Sequence, residues 1–133
     1  MHQLYQTTRA ISKNLNYLLG EYGIFSSEWT ILKVIKEKGN MSQVALSSYL
    51  NIEPAAISKS LVTLEKKGFV ERKIGTDKRE KNIYLTVTAL EQYPLLIQIV
   101  ARHREQTLAA LSQSQQNELI VLLKTMYANT LAK

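Results

Sequence analysis

Between Lys59 and Lys81 stand eight basic side chains: Lys59, Lys66, Lys67, Arg72, Lys73, Lys78, Arg79 and Lys81. Four acids interleave them, Glu65, Glu71, Asp77 and Glu80, which leaves +4 in 23 residues against +6 for the 133-residue chain. Ammonium and guanidinium groups at this density neutralise phosphate oxygens. From Glu71 to Lys81 eight of eleven residues are charged, and Asp77 stands two residues before Arg79. At that spacing across a turn, a carboxylate can hold a guanidinium in one direction through a forked ion pair. A guanidinium so directed suits a narrow groove of concentrated negative potential. Upstream, Pro54, Ala55, Ala56, Ser58 and Lys59 gather small or hydrogen-bonding residues in one short stretch. Lys59 can donate to guanine or phosphate, Ser58 to either, and the alanine methyls can meet a thymine methyl. The bland alternative is a solvated charged face, with Lys66 and Lys67 as ordinary cations at a helix C-terminus and Asp77–Arg79 as a surface ion pair worth about 0–1 kcal/mol.

Other chemistry has little to work with. The chain has no cysteine, which excludes disulfides, thiol catalysis and thiolate metal sites. His2 and His103 are the only histidines; no nucleophile motif, Gly-rich phosphate loop or His–carboxylate pairing is present. No enzyme, cofactor or metal site is expected. With 45% hydrophobic and 21% charged residues the composition is that of a globular protein. No apolar run approaches the roughly 18 residues of a membrane span and no signal core opens the chain, so the expected location is cytoplasmic, away from membranes.

The elements that must position these residues are mostly helical. Leu4, Thr8, Ile11, Leu15, Leu18 and Leu19 recur at three–four spacing, which predicts an amphipathic helix over 3–19. A second helix is predicted over 27–38, capped by Ser26 or Ser27, with Trp29, Leu32 and Ile35 on its buried face. Ser42 caps a short helix whose inner side is Ala45, Leu46, Tyr49 and Leu50. Pro54 opens another, running to Lys67 with Ile57, Leu61 and Leu64 inward. A short and a longer helix across a tight turn is a helix-turn-helix. Val70–Ile74 and Asn82–Val87 read as two strands joined by turn residues Gly75, Thr76 and Asp77. Thr88 and Glu91 form a capping box that starts a helix to about Leu111, interrupted by Pro94. A last helix covers 114–131, with Leu119, Leu122, Leu123, Met126 and Tyr127 on one wide face. The predicted fold is mainly α with a small β-hairpin wing: a winged helix-turn-helix over 27–87, with helical parts at 1–20 and 88–133 in one unit. Those flanking helices carry surplus apolar surface, which predicts a twofold homodimer.

The order of helices, together with "SSEWTILKVI", "AISKSLVTLEKKGFVERK", "TDKR" and "LTVTALE", resembles the multiple-antibiotic-resistance regulator (MarR) family of dimeric winged-helix transcription factors. The likeness covers essentially the whole chain. It implies a homodimeric, sequence-specific regulator, most readily a repressor, on double-stranded DNA with a pseudo-palindromic operator. It places Arg79 in the minor groove with Asp77 orienting it, and the major-groove helix at Ala55, Ala56, Ser58 and Lys59. Thr63, Arg72, Lys73, Lys78 and Lys81 complete the expected DNA-contacting set. The resemblance also implies a pocket for a small aromatic effector, for which Tyr17, Tyr22, Trp29 and His103 are the candidates; core packing is the alternative use of those rings. Glu91 stands where the family often has glycine, and Ala55 and Ala56 where it often has hydroxyl residues. The other reading of the basic face is a protein-interaction module for an acidic partner.

Overall fold

The computed structural model describes residues 1–74 and 81–131. Helix α1 (His2–Leu19) leads through a 3-10 turn (Gly20–Tyr22) into α2 (Ser26–Lys38). Strand β1 (Met41–Ser42), α3 (Gln43–Leu50), α4 (Pro54–Lys66), β2 (Val70–Ile74), β3 (Lys81–Leu85), α5 (Val87–Thr107) and α6 (Gln113–Leu131) follow. Met1–Val100 forms one compact unit and Ala101–Lys133 a second.

The helix-turn-helix is fixed by local backbone chemistry. The Ser42 hydroxyl accepts the Ala45 N–H at 3.1 Å and starts α3. Asn51, at φ 54° and ψ 48°, ends it in the left-handed region, where asparagine is tolerated better than most residues. The buried Ser47 hydroxyl then donates to the Ile52 carbonyl at 2.6 Å and pins the turn. Pro54 occupies the first turn of α4, where its missing donor costs nothing. Gly68, at φ 78°, closes that helix, and the Phe69 N–H returns to the Leu64 carbonyl.

Ile57, Leu61 and Leu64 from α4 meet Trp29, Ile31, Leu32 and Ile35 from α2, Leu46 from α3, and Val70 and Ile83 from the sheet. The core reaches beyond residues 27–87: Leu19 and Ile24 enter it from one side and Ala89, Tyr93 and Leu96 from the other. Trp29 stacks on Tyr93 with ring centroids 5.3 Å apart.

Several local expectations are corrected. The antiparallel β2–β3 pair of the wing is joined by a third short strand, in the order β1-β3-β2. Met41 pairs with Ile83, and Val70 with Leu85; a two-residue strand is too short to show periodicity in sequence. Val70 and Ile83 are buried and anchor the wing, while Ile74 is 65% exposed. Phe25, not Ser26 or Ser27, is the residue before α2, and the Glu28 carboxylate accepts its N–H at 2.9 Å. Thr86, not Thr88, caps α5: its hydroxyl accepts the Ala89 N–H at 3.1 Å and donates to the Gly68 carbonyl at 2.6 Å. Thr86 and Val87 therefore leave the strand. Ala45 and Tyr49 face outward on α3, where Leu46, Ser47 and Leu50 supply the inner side. Along α5, Leu96 is buried while Leu95 and Ile97 stay about two-fifths exposed, so one side alone packs within this chain.

Two outcomes follow. Asn51→Val places a β-branched residue at positive φ and should lower stability by about 1–2 kcal/mol, whereas Asn51→Gly should leave it nearly unchanged; urea unfolding followed by Trp29 fluorescence separates them. Burial, with the Glu37 carboxylate second, raises the Tyr93 phenol above its ordinary 10.0. The fold therefore prefers the neutral phenol. Its contribution is full below the unfolded value near 10.0 and is lost as pH rises through the higher folded value. Tyr93→Phe should flatten the alkaline loss of stability measured in the same assay.

Candidate nucleic-acid interface

The first two turns of α4 are open to solvent. Pro54, Ala55, Ala56 and Lys59 are exposed and Ser58 is half-buried. Ile57 and Leu61 on the opposite face are 1% and 0% exposed, so the outer face is presented from a helix whose inner face cannot rotate without opening the core. The helix N-terminus adds partial positive charge, opposed by the exposed Glu53 at the cap position. Sequence reasoning passed over that acid.

The other end of α4 is held differently. The Thr63 hydroxyl lies 2.8 Å from Glu28 Oε2 and 2.9 Å from the Ser60 carbonyl. Its proton is committed within the fold. Lys67 Nζ lies 2.6 Å from Glu28 Oε1 and 4.8 Å from the Phe25 ring centroid. Lys67 is thus bound to α2 although, like Lys66, it is exposed. Glu28 itself, with a side chain 2% exposed, was missed. Its signal was available: it falls in helical phase with Leu32 and Ile35, as a lone charge on an apolar stripe.

On the wing, Arg72 bridges elements. Its guanidinium donates from Nη1 to Gln43 Oε1 on α3 at 3.2 Å, and its Nε stands 3.5 Å from Glu65 Oε1 on α4, an ion-pair distance without hydrogen-bond geometry. These partners fix strand β2 against both helices of the motif. Lys73 is exposed, 3.8 Å from Glu71 Oε1 and 5.4 Å from the Tyr84 ring centroid. Lys81 is exposed and pairs in register with Ile74. Asp77, Lys78 and Arg79 lie outside the described residues.

The four aromatic-pocket candidates are placed unequally. Trp29 is 4% exposed and stacked on Tyr93, Tyr22 packs partly against the same core, and Tyr17 is 80% exposed. His103 is 5% exposed. Packing accounts for Trp29 without a ligand. Among the described residues no group of three or more His, Asp or Glu is placed to hold a metal ion, and no helix is long and apolar enough to cross a membrane.

Known proteins with this architecture supply the family. The MarR family model matches residues 24–81. An uncharacterized HTH-type transcriptional regulator of Bacillus subtilis (strain 168), YwoH, is 36% identical over 109 residues, 82% of this chain and 80% of that one. A MarR protein of Peptoclostridium difficile superposes with a TM-score of 0.88 at 26% identity, covering 97% of this chain and 85% of its own. A mutant Escherichia coli MarR complexed with operator DNA gives a TM-score of 0.87 at 23% identity, covering 94% and 91%. The helix-turn-helix with its small antiparallel sheet is thus the fold of these structures. The chain belongs to the MarR family of winged helix-turn-helix, DNA-binding transcription regulators and is not an enzyme.

Proposed function

We propose that this regulator acts as a homodimeric, sequence-specific repressor on a pseudo-palindromic operator. The observation that carries this reading is the presentation of Ala55, Ala56 and Lys59 on the solvent face of a helix clamped along its inner face. Residues near the start of such a helix reach base edges in the major groove. Arg79, braced by Asp77, enters the flanking minor groove, and Lys73, Lys78 and Lys81 meet phosphates. Twofold symmetry sets the half-sites about one helical turn, roughly 10 bp, apart.

The dimer reading is supported by α6, which buries none of its residues within the chain. Ile120, Val121, Leu122 and Tyr127 are each 50% or more exposed, as is Leu131. An apolar area of that kind on a soluble protein marks an interaction surface, and closed twofold pairs are the commonest homo-oligomers. The reading extends to release by a small aromatic effector. Tyr17 has an accessible ring for it, whereas Trp29 would have to leave Tyr93.

Replacing Arg79 by Ala should weaken operator binding about tenfold or more, and Lys59→Ala should reduce the log–log salt slope by about one, both by fluorescence anisotropy against salt. Equal affinity for palindromic and scrambled duplexes at moderate salt overturns sequence-specific regulation. A shallow salt dependence, with tight binding to an acidic protein, would favour the interaction-module reading instead. Leu122→Glu should raise the dimer dissociation constant about tenfold or more, seen as a monomer in sedimentation velocity at micromolar concentration.

A further inference from the structure

Glu28 is the one acid of α2 that sits among the apolar side chains: Ile31, Leu32 and Ile35 share its buried face. A carboxylate taken out of water costs several kcal/mol unless donors surround it. Three do. Oε1 accepts the Phe25 N–H at 2.9 Å and faces Lys67 Nζ at 2.6 Å; Oε2 faces the Thr63 hydroxyl at 2.8 Å. The first donor belongs to the start of α2. The other two stand four residues apart on α4 and so project from one face of that helix. The carboxylate therefore ties the last turn of α4 to the first turn of α2, and the Phe25 ring covers the Lys67 ammonium.

An apolar pair of similar size would hold two helices together at least as well as an ion pair. What it would lack is direction: a carboxylate with fixed donors permits one register and one tilt. From Lys67 to Ala56 the helix axis runs roughly 16 Å, and a swing of roughly 10° about the clamped end displaces the far end by about 3 Å. A hydrogen bond to a base edge tolerates a few tenths of an ångström.

On the reading of α4 as the base-contacting helix, we infer that Glu28 is a positioning residue for sequence recognition. Through Thr63 and Lys67 it sets the angle at which the open first turns of α4 meet DNA, without touching DNA itself. Phosphate attraction does not depend on that angle, so the clamp governs discrimination rather than general affinity.

The test starts with the full-length wild-type protein selecting an operator from a random duplex pool. Glu28→Gln keeps the shape and removes the charge; Glu28→Leu removes the acceptor altogether. For each, affinity is measured for the selected operator and for a scrambled duplex of equal length at one salt concentration, with a thermal melt to confirm folding. The expected result is a cooperative melt, operator affinity down about tenfold, scrambled-duplex affinity within about twofold, and an unchanged salt slope because the phosphate contacts remain. Should Glu28→Gln not fold, Glu28→Met combined with Lys67→Met removes the ion pair without leaving a buried charge and carries the same comparison. Folded variants with wild-type discrimination, or with equal losses on both duplexes, overturn the inference alone. A wild-type protein that selects no sequence overturns the regulator reading and this inference with it.

Discussion

A buried carboxylate with one donor from its own helix and two from another constrains everything around it. Glu28 sits where α2 begins and α4 ends. The desolvation cost of a charge is met only while both helices keep their donors in place, so the two helices are coupled in register as well as in contact. The rest of the winged unit builds on that coupling. Ile57, Leu61 and Leu64 fill the space between the helices, and the sheet closes the open side through Val70 and Ile83. Arg72 joins strand β2 to α3 and α4 by Gln43 and Glu65.

Among the described residues, the cations of the basic stretch consequently divide into two kinds. Lys67 and Arg72 are tied to other elements, through Glu28, Gln43 and Glu65, though both stay partly exposed. Lys59, Lys66, Lys73 and Lys81 remain at the surface. Counting positive charges along the sequence treats these as one population, yet the first kind also ties elements of the fold together, while the second lies in solvent, where salt screens it. The same division separates Thr63, bound to Glu28, from Ser58, half-exposed near the open end of α4.

Beyond the winged core the chain leaves apolar surface without a partner of its own. On α5, Leu96 is 1% exposed while Leu95 and Ile97 stay about two-fifths exposed, and α6 has no buried residue. A helix apolar on more than one side is stable in water only when more than one side is packed. The proposed pairing would draw on the same hydrophobic effect that folds the chain.

Strong local chemistry was legible in the sequence. Three–four spacing located the helices, Pro54 marked the start of α4, Gly68 its end, and Ser42 the cap of α3, because each of these signals acts over a single turn. The basic surplus at the wing and on α4 was legible for the same reason. What only the tertiary structure decided involves partners far apart in the chain: β1, whose two residues become a strand through pairing with β3; the choice of Thr86 over Thr88, made by the Gly68 carbonyl; and the fate of Thr63, Lys67 and Arg72. A side chain's type states what it can donate. Whether it donates to DNA or to Glu28 depends on which groups lie within about 3 Å, and that distance is set by packing.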